Sequence, residues 1–155
     1  MKKLDLGQTL QLLGNAGVII GILLLAYELN QNRQMMQAQT RNELSQGIIE
    51  ILLAFTDDEE SASLWNRGQR GDELTDDELA RYRRMGVAEL RYHENVHYQY
   101  RQGLYDESEF EAHREQWRLL FGQKGRADVF CTARPGLSPE YVAEIEGLLT
   151  TYQCN

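Results

Sequence analysis

The sequence predicts an all-α protein in which a single N-terminal transmembrane helix continues into a small soluble bundle of four or five helices. Three observations support this fold. An apolar run near the N-terminus is long enough to cross a bilayer, apolar residues elsewhere recur at helical spacing, and no segment alternates apolar and polar residues long enough to predict a strand. The chain has only 2 prolines in 155 residues, whereas a β-sandwich needs frequent turn residues. We therefore expect a membrane anchor over residues 1–30 and a soluble helical domain over residues 31–155.

The predicted anchor is Leu10–Leu29, twenty residues that include eleven Leu, Ile or Val. At about 1.5 Å per helical residue, the segment spans about 30 Å, the thickness of the hydrocarbon core of a bilayer. Asn15 lies inside the run and leaves twelve strictly apolar residues, Ala16–Tyr27, so a buried helix of a soluble protein is the alternative. A cleaved signal peptide would also follow Lys2 and Lys3, but no small-x-small cleavage site comes after the run. We therefore expect an uncleaved anchor.

Three glycines, Gly14, Gly17 and Gly21, fall close to one face of the predicted span, and the last two form a G-x-x-x-G motif. Small residues at this spacing let two backbones approach closely, which favours helix association in lipid. Glycine is also common in membrane helices in general, so the pattern by itself fits either explanation. We predict a homo-oligomer with these glycines at its interface, or another membrane protein as the partner.

The chain after the anchor is expected to stay helical to about Gln46 and to keep an apolar face as far as Phe55. Gly47 interrupts this pattern and predicts a local bend. The acidic run Thr56–Glu60 then predicts the end of one helix and the start of the next, since acids are favoured at helix N-termini. That second helix is short and is expected to end near Gly68 or Gly71.

Three further helices are predicted from their start signals. The first signal is a capping box, in which a hydroxyl and a carboxylate three residues apart satisfy each other's backbone N–H groups. The last is a serine followed by proline, because proline suits the first helical position. The pair Thr75 and Glu78 opens a helix to about Gln102. Asp106 or Ser108 opens the next helix, which is ended by Gly122 and Gly125, and Ser138–Pro139 opens the last.

Five short motifs are distributed over the chain: Gln31–Arg33, Trp65–Gly68, Glu94–Asn95, Tyr98–Leu104 and Leu137–Tyr141. Together they make the chain similar to a widespread group of small uncharacterised bacterial proteins with one N-terminal transmembrane helix and a helical soluble domain. The resemblance covers most of the chain, although each motif alone is weak. It implies a bacterial inner-membrane protein without an enzymatic role, and it carries over no catalytic residues.

One motif points to chemistry. His93, Glu94 and His97 form a literal H-E-x-x-H in the interior of a predicted helix. Histidines at positions i and i+4 share a helix face and can bind one Zn²⁺, while the glutamate polarises a metal-bound water. The next predicted helix offers possible third ligands, namely Glu109, Glu111, His113 and Glu115.

Two observations weigh against metal chemistry, the first against a zinc peptidase and the second against a di-iron bundle. Such enzymes hold their substrate along a strand edge, and the sequence predicts no strand. A di-iron bundle would need a second E-x-x-H, which the chain lacks. We therefore predict that His93 and His97 are structural or interfacial residues and that the protein needs no cofactor, with zinc as the alternative.

Charge and cysteine content limit the partners and the compartment. The chain has 16 Lys and Arg against 24 Asp and Glu, a net charge of −8, which disfavours binding to nucleic acid. Cys131 and Cys154 are too few for a disulfide framework and lack the spacing of a metal site. Lys2 and Lys3 favour a cytoplasmic N-terminus. The basic residues after the span, Arg33 and Arg41, and the family resemblance favour a cytoplasmic soluble domain, which we expect.

Together these features predict a membrane-anchored helical scaffold or interaction protein of the bacterial inner membrane. It would contact the lipid bilayer and either self-associate or serve as an accessory subunit of a membrane complex. The alternative is a membrane-tethered zinc metallohydrolase that uses His93 and His97 as ligands and Glu94 as general base.

Overall fold

The computed structural model describes residues 6–149 and residue 154. These residues form six α-helices, one 3-10 helix and no strand, which confirms the all-α prediction. The chain divides into two compact units, Met1–Ala38 and Gln39–Asn155, and the first helix contributes to both. The elements are α1 Leu6–Thr56, α2 Glu59–Arg70, α3 Asp76–Arg101, α4 Glu107–Leu120, α5 Lys124–Ala133, the 3-10 helix η1 Arg134–Gly136 and α6 Pro139–Leu148.

The first unit consists of the N-terminal part of α1. Every Leu, Ile, Val and Tyr side chain from Leu6 to Leu29 is at least 58% exposed. An 18-residue window of this helix has a mean hydropathy of 2.0, and none of that window is buried. By length and composition, α1 can therefore cross a membrane. Lys2 and Lys3, on which the orientation argument depends, lie outside the described residues.

The second unit is built around α3, which packs against α2, α4, α5 and α6. Aromatic residues dominate its core because their large apolar surfaces allow a few short helices to bury enough area. Helix α1 contributes Leu44 and Phe55 to this core, and the Phe55 ring lies 4.4 Å from that of Trp65. The predicted bend at Gly47 does not interrupt the helix, since α1 continues to Thr56. The largest side chains that are almost fully buried are Trp117, Tyr141, Phe130, Leu64 and Ile145.

The predicted starts of α3 and α4 are confirmed by individual capping hydrogen bonds. Thr75 and Glu78 form the capping box of α3, with the Glu78 backbone N–H donating to Thr75 Oγ1 at 3.3 Å and the Thr75 N–H donating to Glu78 Oε2 at 2.9 Å. Asp106 caps α4 by accepting the Ser108 N–H at 2.8 Å. Proline occupies the first position of α6 after Ser138, as expected, but the Ser138 side chain makes no cap bond.

Helix α5 was not predicted, because Gly122 and Gly125 were both expected to end the preceding helix. Gly125 instead lies in the first turn of α5. A Cβ atom at Gly125 would overlap the backbone carbonyl oxygen of Gly68 in α2, and one at Gly86 in α3 would lie 2.8 Å from Val129 of α5. These glycines therefore allow α2, α3 and α5 to pack with their backbones close together.

Candidate functional site

The H-E-x-x-H residues lie within α3, as that chemistry would require, but the two histidines pack against different rings of the aromatic core and Glu94 lies outside it. His93 and His97 are 2% and 6% exposed. Their contacts are with different neighbours, and Glu94 points to the start of α6.

His93 is hydrogen-bonded through one ring nitrogen to a residue of α4. The indole Nε1 of Trp117 donates to His93 Nδ1 at 2.9 Å. Because indole can only donate, Nδ1 carries no proton and the neutral ring has its hydrogen on Nε2. That Nε2 lies 3.8 Å from Glu89 Oε1, beyond hydrogen-bond distance, and has no partner among the described residues. The Nδ1 lone pair is therefore already used, and the Nε2 lone pair is occupied by hydrogen.

Glu89 makes a buried ion pair one turn before His93. Arg126 Nη1 donates to Glu89 Oε2 at 2.5 Å, and the two side chains are 8% and 12% exposed. The Arg126 guanidinium also lies over the Trp65 ring at 4.9 Å from its centroid, a cation–π contact. Burial raises the pKa of Glu89, but neighbouring His93 and Arg126 outweigh burial and hold that pKa below its ordinary value. The carboxylate is therefore charged at neutral pH and balanced by one arginine.

Glu94, the residue that would be the general base, joins α3 to α6. It accepts the Ser138 backbone N–H at 2.6 Å and an Arg91 N–H at 2.6 Å. Burial raises its pKa, and these hydrogen bonds and the Arg91 charge overcome that effect and lower it. Because Ser138 is the N-cap residue of α6, Glu94 caps this helix from α3 by accepting the backbone N–H of the N-cap, as the carboxylate of a capping box does.

His97 packs in an aromatic environment. Its ring centroid lies 6.0 Å from that of Phe110 in α4 and 5.8 Å from that of Tyr141 in α6. Burial lowers the pKa of His97, although the charges of Glu144, Glu140 and Glu94 oppose the shift. His97 is therefore neutral at pH 7 as a packed side chain.

The proposed third ligands have other partners. Each of the three glutamates is ion-paired with an arginine, and His113 Nδ1 lies 3.2 Å from the Tyr105 hydroxyl. Among residues 6–149 and 154, no group of three or more His, Cys, Asp or Glu could hold a metal ion. The ion pairs are Glu109 with Arg41 at 2.9 Å, Glu111 with Arg114 at 3.0 Å and Glu115 with Arg118 at 2.9 Å.

The three histidines of the chain share one aromatic cluster, defined by Trp117 and Phe110. These two rings lie 5.6 Å apart, and each histidine ring lies between 5.7 and 6.2 Å from one of them. Burial lowers the pKa of His113 as well, with the nearby His93 assisting and Glu109 opposing the shift. In this structure the three histidines pack against aromatic rings, and His93 and His113 also form hydrogen bonds within the protein.

This cluster makes the folded state sensitive to acid. Because the folded-state pKa values of His97 and His113 lie below the unfolded value of about 6.5, the unfolded chain binds more protons as pH falls. Stability is therefore complete above about pH 6.5 and decreases as the pH falls through the lowered values. Urea unfolding of the full chain in mild detergent, followed by circular dichroism at pH 7.5 and pH 5.5, should show a lower midpoint at pH 5.5.

The matched control is the double variant His97→Gln and His113→Gln. Its midpoint should change little between the two pH values, since the lowered pKa of the buried Glu89 keeps this carboxylate charged at both. An equal loss of stability in the parent and the double variant would show that other groups cause the acid sensitivity.

The predicted oligomer interface lies in the first unit. Apart from the neighbouring backbone of α1 itself, no heavy atom of the described residues lies within 4 Å of the position that a Cβ would take at Gly14, Gly17 or Gly21. In the second unit, Ile49 and Leu53 of α1 are 54% and 64% exposed. Both regions present apolar surface that the described residues of the chain leave uncovered.

Two features of the second unit were not predicted from the sequence, namely the buried ion pair of Glu89 with Arg126 and the disulfide bond. Glu89 was not selected, although it stands among the core-facing positions of α3, where a carboxylate requires a partner. Arg126 was missed because α5 was missed. Cys131 and Cys154, judged too few for a framework, form a single disulfide with their Cα atoms 5.3 Å apart. Of these features, only the buried ion pair had a signal in the sequence, the carboxylate of Glu89 at a core-facing position.

Comparison of the chain with family models, with curated proteins and with solved structures finds no match. The resemblance to small bacterial membrane proteins therefore stays an expectation based on the five short motifs. What this chain does has to be inferred from its own geometry.

Proposed function

We propose that the protein is a single-pass, membrane-anchored helical interaction module whose anchor is the N-terminal part of α1. The observation that carries the proposal is the exposure of this helix. Thirteen large side chains from Leu6 to Leu29 are each at least 58% exposed, and none of the apolar window is buried. In water, such a surface would favour aggregation, whereas in lipid it is the favoured exterior of a helix.

The interaction part of the proposal rests on surfaces that nothing in the described chain covers. The open glycine face of Gly14, Gly17 and Gly21 has the small-residue spacing that favours helix pairing in lipid. Ile49, Leu52 and Leu53 add exposed apolar area in the second unit. We propose a homo-oligomer as the first partner, and an accessory role in a membrane complex as the second.

A non-enzymatic role is supported by the partners of the H-E-x-x-H residues. His93 Nδ1 accepts from Trp117, and Glu94 caps α6. To bind zinc, His93 would have to give up the Trp117 bond or lose the Nε2 hydrogen, and Glu94 would have to leave Ser138. The motif therefore has a complete structural explanation in this fold, and the zinc hydrolase is the competing proposal.

Carbonate extraction and mass measurement in mild detergent test the anchor and the self-association. We expect the chain to stay in the membrane pellet and to have an oligomeric mass in detergent. Gly17→Leu together with Gly21→Leu should reduce the oligomer fraction at least tenfold, because bulky side chains keep the two backbones apart.

Ala26→Leu is the matched control, since at about 100° per residue it lies about 140° from Gly21 and about 180° from Gly17 around the helix. Release of the chain by carbonate would refute the anchor, and a monomeric mass of the parent chain would refute self-association. Elemental analysis of the same chelator-free preparation decides the competing proposal, because a zinc enzyme should retain about one metal per chain.

A further inference from the structure

The disulfide joins two distant parts of the second unit. Cys131 lies in α5, and Cys154 lies beyond α6, 23 residues further along the chain. The loop that it closes contains η1 and α6. Both cysteines are partly buried against the core, and the described chain has no free cysteine. The bond therefore fastens the C-terminal end of the chain to α5.

We infer that the unit Gln39–Asn155 is a substrate of a thiol–disulfide oxidoreductase and lies on the oxidising, exported side of the membrane. Disulfides persist in oxidising compartments and are rare in the cytosol, where thiols are kept reduced. The inference rests on the proposed anchor, and it replaces the expectation of a cytoplasmic domain.

The oxidation step needs a disulfide as the oxidant. The thiolate of one cysteine attacks a sulfur of the oxidoreductase disulfide, and a mixed disulfide forms as that bond breaks. The second thiolate of the chain then attacks the mixed disulfide, which forms the Cys131–Cys154 bond and releases the oxidoreductase as a dithiol. Two electrons pass to the oxidoreductase, and its two sulfurs take up the two protons lost by the cysteines.

The basic residues around the anchor do not oppose this orientation. Lys2 and Lys3 precede the span, and Arg33 and Arg41 follow it. Two basic residues therefore lie on each side of the span, and the rule that basic residues flank the cytoplasmic side favours neither orientation. Arg41 moreover belongs to the second unit, where it is ion-paired with Glu109 at 2.9 Å. With the charges balanced, the disulfide decides the orientation.

The first test measures the oxidation state of the full chain in its membrane. Spheroplasts of an expressing bacterium are lysed in denaturant with excess N-ethylmaleimide, and the intact mass is measured with and without prior reduction. We expect no maleimide adduct without reductant and two adducts after reduction. Two adducts without reductant would overturn the oxidation step.

The second test measures orientation independently of the bond. In the chain carrying Cys131→Ser and Cys154→Ser, a new thiol is placed either by Lys2→Cys, before the span, or by Asp57→Cys, between α1 and α2, where the residue is exposed. A membrane-impermeant maleimide should label the second position in intact spheroplasts and the first only after lysis.

The reverse labelling pattern would overturn the exported location. Each variant also carries a check for folding, since its helical circular dichroism should match that of the parent chain in detergent. If a variant lost its fold, the same thiols introduced into the chain with both native cysteines retained, and therefore disulfide-bonded, would give the orientation. Failure of the anchor would appear separately, as release by carbonate with the disulfide still present.

Discussion

Gly125→Ala is expected to destabilise the second unit by about 3 kcal/mol or more, at the upper end of the cost of overpacking. The new Cβ would overlap the carbonyl oxygen of Gly68 and lie 3.0 Å from the Tyr82 hydroxyl. A backbone carbonyl inside a helix cannot rotate away as a flexible side chain can, so α2 and α5 would have to separate. Urea unfolding followed by circular dichroism should show a lower midpoint or a chain that is largely unfolded.

Gly147→Ala in α6 is the matched control for this prediction. Apart from the neighbouring backbone of α6 itself, no atom of the described residues lies within 4 Å of its Cβ position, so the higher helix propensity of alanine should raise stability by up to about 1 kcal/mol. If Gly125→Ala were as stable as the parent chain, the close packing of α2 against α5 would be refuted.

Arg126→Met is expected to lower the free energy of unfolding by about 3–5 kcal/mol, the usual cost of removing one partner of a buried ion pair. Methionine keeps most of the apolar contact with Trp65 but leaves Glu89 buried without a positive partner. The remaining carboxylate should take up a proton more readily in the folded chain than in the unfolded chain, so the stability lost relative to the parent should be smaller at about pH 5 than at about pH 7. Urea unfolding at several pH values measures both effects.

Arg134→Met removes an ion pair of similar geometry at the surface. Arg134 and Glu146 lie 2.7 Å apart, but each side chain is 44% exposed, so the loss should be no more than about 1 kcal/mol. The double variant Arg126→Met with Glu89→Leu should recover most of the lost stability, because it removes both buried charges. Equal effects of Arg126→Met and Arg134→Met would show that Glu89 is not buried as described.

Local signals in the sequence were enough to predict where most helices begin. The capping box of Thr75 and Glu78 and the acidic cap at Asp106 act within three residues of the chain. Such contacts depend on neighbours in sequence, and they therefore appear in the sequence itself. The apolar run of α1 is similarly local, which is why a long apolar N-terminal helix could be predicted from the sequence.

The partners across the core could not be predicted in the same way. The bonds from Trp117 to His93 and from Arg126 to Glu89 join residues 24 and 37 positions apart. Their formation depends on the packing of α4 and α5 against α3, and no local pattern determines that packing. Helix α5 was missed for a related reason, since its glycine serves a contact with α2 rather than a turn.

The H-E-x-x-H motif shows how spacing and chemistry differ. Spacing on a helix places His93 and His97 one turn apart, and the structure does keep them on the same helix. Whether a ring nitrogen is available to a metal depends on its own hydrogen bonds, and Trp117 already uses one of them. Trp117 lies 24 residues after His93, so the five-residue motif could not reveal this hydrogen bond.

The contribution of α1 to the second unit determines where the chain can be cut for study in solution. Thr40, Leu44 and Phe55 are the buried residues of this helix, so a fragment that begins after Thr56 would lose part of its hydrophobic core. A fragment that begins at Gln39 keeps these three side chains and omits the exposed apolar segment that precedes them. Crystallisation and solution NMR of the globular part should therefore start from Gln39, with production in an oxidising host so that the C-terminal end stays fastened.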